Sequence, residues 1–145
     1  MVDQPAEDES RMPITKTSME MMEKITYMYQ GSLADVSGGQ ATGVAQASFE
    51  DGAYSLDVTF ESLPAPEDNF FYEGWIVRKE PFHFISTGQI EIVDGEYTNM
   101  YMSSEDLTDH SMYVLTIEPS NDGPDGILPD PAPAAHILEG AMTKL

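Results

Sequence analysis

Between residues 53 and 61 the chain alternates with a period of two. Tyr54, Leu56, Val58 and Phe60 fall on one face, and Ser55, Asp57, Thr59 and Glu61 on the other. Successive side chains of a strand point to opposite faces, so this pattern predicts a half-buried antiparallel strand. Residues 42–49 alternate in the same way, Val44, Gln46 and Ser48 against Ala45, Ala47 and Phe49. Glu50-Asp51-Gly52 lies between the two runs, and Asp-Gly suits the positive φ of a tight hairpin. Asp94-Gly95 repeats the signal between strand-like runs at 83–93 and 96–102, with Gly88 marking a bend. Further strands are predicted at 25–33, 70–78, 110–118 and 135–140.

The densest apolar run is Phe70-Phe71-Tyr72-Glu73-Gly74-Trp75-Ile76-Val77-Arg78, which holds the only tryptophan. Aromatic side chains bring the largest burials to a core, so the domain is expected to close over this segment. Strict alternation puts Tyr72 and Trp75 on opposite faces. A bulge at Gly74 would return both to one core. Glu73 is then expected to face solvent or to pair with Arg78 or Lys79, because an unpaired buried charge is costly.

Two stretches carry no strand pattern. Residues 1–24 are polar and acidic, with Pro5 and Pro13, and read as a disordered tether. Met19 to Lys24 suits a helical turn but is too short for an isolated helix. Residues 119–133 are turn-forming throughout, and Ser103 to Asp109 is a polar connection, with one helical turn capped by Ser103 or Ser104 as its expected shape. Seven or eight short strands and no long helix predict an all-β chain. The expected form is an immunoglobulin-like antiparallel β-sandwich over residues 25–145, with 1–24 as its tether.

Charge narrows the partners. The 145 residues hold 26 Asp and Glu against 6 Lys and Arg, a formal net charge of −20. Such a surface repels phosphate backbones and anionic membranes, which argues against nucleic acid as a partner. It favours solubility, adaptation to salt, or a basic partner. Cysteine is absent, which removes disulfides and thiolate sites. No apolar run reaches the roughly 20 residues of a membrane helix, so this chain is not expected to insert in a membrane.

Several residues resemble the extracytoplasmic C-terminal domain of anti-sigma-K factors of the RskA type and small bacterial lipoprotein-like relatives. They are Leu63-Pro64, Tyr72, Trp75, Gly88, Val114 to Pro119, then Pro131 and Pro133 ahead of His136-Ile137-Leu138. The likeness covers roughly residues 30–140. It implies an immunoglobulin-like sandwich outside the cytoplasmic membrane, with Tyr72, Trp75, Leu63, Pro64, Glu118 and Pro119 in structural roles. It carries over no catalytic residue and no cofactor. The family's sigma-binding segment and membrane helix have no counterpart here, so sigma-factor inhibition is not expected of this chain alone. The expectation is a non-enzymatic envelope module, periplasmic, cell-surface or secreted, binding an unidentified protein. A removed N-terminal signal with a lipid anchor would tether it to the membrane.

Candidate chemistry is sparse. Asp109-His110-Ser111 are adjacent, but neighbours on a strand face opposite ways, and no Gly-x-Ser-x-Gly elbow exists. His110, Met112 and Met100 form the alternative reading, a soft cuprous site. Methionine also fills irregular core gaps, which accounts for the same residues without copper. His83 and His136 show no ligand spacing with them. Asn121-Asp122-Gly123-Pro124-Asp125-Gly126 offers oxygens to calcium but lacks the EF-hand order. Glu118-Pro119 is expected to end a strand, with Glu118 accepting from the loop beyond.

Overall fold

A computed structural model describes residues 9–93, 95–119 and 135–145. The first eight residues, Asp94, the acidic loop 121–126, Pro131 and Pro133 lie outside the described residues. The elements are β1 Arg11–Met12, α1 Lys16–Glu23, β2 Tyr29–Asp35, β3 Thr42–Glu50, β4 Ala53–Glu61, β5 Phe70–Arg78, β6 His83–Gln89, β7 Glu91–Val93, β8 Glu96–Ser103, β9 Met112–Pro119, β10 Ala135–Ala141 and β11 Thr143–Lys144. Eight of these strands have seven or more residues, and all the pairings are antiparallel.

The all-β expectation holds. Hydrogen bonding runs unbroken through the order β1-β8-β4-β3-β2-β10-β9-β5-β6, with β11 on β2 and β7 on β8. The chain therefore forms one sheet, curled into a half-barrel, where two separate hydrogen-bonded sheets were expected. The β3–β4 hairpin turns at Asp51-Gly52, both at positive φ, as its sequence predicts. At the end of β2 the Asp35 carboxylate accepts from the Ser37 hydroxyl at 2.6 Å and from the amides of Ser37, Gly39 and Ala41. Those bonds, the hydroxyl first, pull its pKa down to about 2.

The inner face carries the main core: Tyr54, Leu56 and Val58 of β4, Tyr72 and Ile76 of β5, Tyr113 and Leu115 of β9, and Leu138 of β10. Leu63 joins it, and the Pro64 carbonyl accepts from the Tyr72 hydroxyl at 2.8 Å, so Leu63-Pro64 anchors the aromatic strand. Trp75 departs from the expectation of a shared core. β5 keeps a regular register with β9, so Trp75 faces outward with Phe84 and Val114 in a second cluster. The bulge exists, but on β6: Gly74 pairs with Gly88 and Trp75 with Ser86, leaving Thr87 as the extra residue. Gly88, at φ 100°, supplies the left-handed conformation. The bulge turns the strand away from β5, and three residues later the same run pairs with β8 as β7. Gly88 is thus the bend its sequence suggests.

Gly74 serves a different purpose. A Cβ there would run into Asn99, the Tyr113 hydroxyl and the Thr87 hydroxyl. These three side chains hydrogen-bond over it. Thr87 Oγ1 donates to Asn99 Oδ1 at 2.6 Å, Tyr113 Oη donates to the same oxygen at 2.8 Å, and Asn99 Nδ2 donates to the Thr87 carbonyl at 3.0 Å. The cluster links β6, β8 and β9 inside the curl.

Residues 9–24 are not a free tether. β1 pairs with β8, Arg11 opposite Ser103, and the Ser104 amide donates to the Ser10 carbonyl at 2.9 Å. Thr15 caps α1 in a reciprocal box: the Ser18 amide donates to Thr15 Oγ1 at 3.1 Å and the Thr15 amide to Ser18 Oγ at 2.6 Å. Eight residues are too few for a helix alone. Here Met22 is 4% exposed, and Met21 and Ile25 line a shallow pocket with Ser48, Ser55 and Met102 on the outer face of the sheet. The expected helical turn at Ser103 is absent. The segment bends instead, with Ser103 Oγ accepting from the Glu105 amide at 3.1 Å.

Two outcomes are expected in urea denaturation. Gly74→Ala should destabilise the fold by about 1–3 kcal/mol through overpacking. Met22→Ala should cost about 2 kcal/mol, whereas a tether would lose nothing.

Candidate functional site

One end of the half-barrel carries a continuous polar chain. Arg78 closes β5, and its Nε donates to the Pro81 carbonyl at 3.0 Å, which fixes the guanidinium at the β5–β6 turn. Arg78 Nη1 meets Asp109 Oδ2 at 3.1 Å, and Asp109 Oδ1 lies 2.8 Å from His110 Nδ1. His110 Nε2 lies 2.7 Å from His83 Nδ1, the first residue of β6. The proton order follows from the donors. An ionised carboxylate only accepts, so His110 donates through Nδ1. Its Nε2 then accepts from His83 Nδ1, and in a neutral His83 the remaining lone pair sits on Nε2.

Electrostatics supports that order. His110 is 2% exposed. Burial is the main cause holding its pKa below the usual histidine value, against the pull of Asp109. For Asp109 burial pushes upward, but the bonds from Arg78 and His110 and their charges outweigh it and keep its carboxyl low. Tyr54 stands near by, its hydroxyl pushed up by burial and by Asp106 and Asp109.

Asp109 and His110 therefore meet, contrary to the expectation from strand geometry. They lie in the turn before β9, where the His110 amide donates to the Leu107 carbonyl at 3.0 Å. No hydroxyl bonds either imidazole among the described residues. Among the described residues the arrangement pairs an imidazole with its orienting acid and lacks the hydroxyl that a hydrolase triad requires.

The copper set is not brought together. Met112 packs outward beside Trp75, and Met100 lies on β8, which is not a neighbour of β9. Both nitrogens of His110 are engaged by protein groups. His136 pairs with Glu139. No group of three or more His, Asp or Glu is placed to hold a metal among the described residues.

The outer face of β5, β6, β9 and β10 carries the second feature. Trp75 Nε1 donates to Thr116 Oγ1 at 2.9 Å, and Thr116 donates in turn to Glu118 Oε2 at 2.7 Å. Glu118 is fully buried. Pro119 is the last residue of β9, opposite Phe70. Glu73 turns to Ser86, whose hydroxyl donates to it, in place of the expected Arg78 or Lys79. Burial, then the Glu118 charge, raises the Glu73 pKa against that bond. Beside this network runs a groove of about 260 Å³, floored by Val77, Phe84, Met112 and Val114. Phe82, 58% exposed and packed at a tilt against Phe84 with centroids 5.4 Å apart, forms one wall. Lys79, His136 and Glu139 make its polar rim.

Sequence reasoning missed the His83–His110 link and the groove. The signal for the groove was the spacing of Phe82 and Phe84 about His83, which puts both rings on one face. Comparison with family models, curated proteins and solved structures finds no match to this chain. No helix among the described residues is long and apolar enough to cross a membrane.

A depressed His110 pKa means that the unfolded chain takes up this proton at a higher pH than the folded one. The stability it contributes is complete above pH 6.5 and is lost as pH falls through the lower folded value. His110→Gln removes that dependence while acid groups elsewhere titrate alike in both proteins. The gap in urea midpoint between wild type and His110→Gln should narrow from above pH 6.5 to below it; a constant gap would contradict the neutral, relay-bound ring.

Proposed function

We propose that this chain is a non-enzymatic, extracytoplasmic module of a bacterial envelope that binds a basic protein segment along its outer groove. The observation that carries the reading is the groove itself: an apolar floor on a chain of net charge −20, with an exposed phenylalanine for a wall. Apolar floors give affinity, and surrounding charge of one sign selects and steers a partner of the other. The partner is accordingly an extended stretch that alternates apolar side chains with lysine or arginine. The likeness of Leu63-Pro64, Tyr72, Trp75 and Glu118-Pro119 to the anti-sigma factor C-terminal domain supports an envelope-facing, tethered placement.

The finer architecture belongs to the same proposal. Pressed flat, the curl has two facing walls, β1-β8-β4-β3-β2 and β10-β9-β5-β6. Phe60 of one and Tyr113 of the other pack with centroids 6.3 Å apart. That packing across the curl supports reading it as the layering of an immunoglobulin-like sandwich.

Calorimetry with synthetic Lys/Leu and Glu/Leu alternating peptides tests the binding. The Lys/Leu peptide should bind, more weakly as salt rises, and Phe82→Ser should lose about tenfold in affinity. Equal affinity of Phe82→Ser and wild type would place the contact elsewhere on the acidic surface and overturn the groove.

A further inference from the structure

The two ends of the sheet meet at a seam, and the seam holds a second cleft of about 290 Å³, remote from the outer groove. We propose that this cleft binds a small zwitterion, an α-amino acid with an apolar side chain.

Arg11 of β1 carries the argument. Its guanidinium lies over the Tyr101 ring, 5.1 Å from the centroid, and beside Gly88, where an added Cβ would stand 3.1 Å from Nη2. The aromatic face below and the missing side chain beside it give the guanidinium a place along the wall of the cleft, on a residue that is itself exposed. Arg11 makes no ion pair and donates no hydrogen bond among the described residues. In a chain where acids outnumber bases 26 to 6, this exposed arginine has no acid partner among the described residues, and its hydrated donor fork is open to a ligand. Glu91 of β7 lines the same cleft and makes no ion pair with it. One cation resting on an aromatic ring and one separate carboxylate, both exposed, therefore line the same small space.

The rest of the lining sets the ligand class. Met19 of α1 and Met100 of β8 supply soft apolar wall, while Gln89 and Thr98 add neutral polar groups. A carboxylate takes the Arg11 fork in two parallel bonds, an ammonium meets Glu91, and an apolar side chain lies on the thioethers. The net charge of −20 repels a free anion, but a zwitterion carries no net charge and escapes that cost. Ligand pockets run to about 300–1,000 Å³, so this cleft suits a molecule at the small end. Binding would tie the N-terminal β1–α1 segment to the bent β6–β7 run across the seam.

Calorimetry on the full chain with L-leucine and L-methionine tests this. Saturable binding at a Kd of about 1 mM or tighter is expected. N-acetyl-leucine, which lacks the ammonium, and leucine methyl ester, which lacks the carboxylate, should each bind at least about tenfold more weakly. Arg11→Gln and Glu91→Gln should show the same loss at unchanged melting temperature. Heteronuclear NMR on the unmutated chain gives a readout independent of the variants, with leucine-induced shifts centred on the Gly88, Gln89 and Thr98 amides. No saturable heat from either amino acid at about 10 mM, undiminished binding by Arg11→Gln, or shifts centred elsewhere would each overturn the proposal.

Discussion

The Asn99 carboxamide accepts from Thr87 and Tyr113 through one oxygen and returns a bond to the Thr87 carbonyl, in the space left open by Gly74. A curled sheet has two ends, and unpaired strand edges attract partners. Here the β6 end is held against β8 by side chains where backbone pairing has stopped. The link is buried, since Asn99 and Thr87 are 3% and 1% exposed. Water does not compete for it, and unmade polar groups at that depth would be costly. The bulge at Thr87-Gly88 and the bare backbone of Gly74 are the local conditions for the three groups to meet.

That closure sets the rest. Because β6 is held there, its first residue His83 reaches His110 in the loop ahead of β9, and the chain Arg78–Asp109–His110–His83 ties the same edge strand down at the other end. Because β6 then bends away to join β8 as β7, Glu91 and Gly88 come beside β1, and the seam opens into a cleft beneath α1. Because β5 stays regular against β9, Trp75 faces out and builds the wall on which Phe82 and Phe84 form the groove. One inner polar contact thereby places three surface features.

Acidity acts at another level. Most of the 26 carboxylates belong to a solvated surface and bear on partners more than on the fold. A few are used locally. Asp35 organises the β2–β3 turn through the amides it collects, and Asp109 orients a buried imidazole. Glu73 and Glu118 share the outer face of β5 and β9 and accept from the hydroxyls of Ser86 and Thr116. Their proximity is written in the register, Glu73 opposite Thr116, and in no sequence spacing.

The sequence by itself determined the local grammar. Alternation located β3, β4 and β9 to within a few residues, the dense apolar run located β5, Asp51-Gly52 placed its hairpin, and Gly88 marked the bend, because apolar patterning and positive φ are properties of short stretches. The pairing of distant strands was decided only by the tertiary structure. Tyr72 and Trp75 went to different cores because β5 kept its register with β9. Residues 9–24, polar and short in themselves, became β1 and α1 because an outer sheet face was there to receive Met22. Asp109, His110 and His83 met because a loop and an edge strand were folded together. Contacts between residues far apart in the chain leave no periodic trace along it, so the strands were legible and the sites they assemble were not.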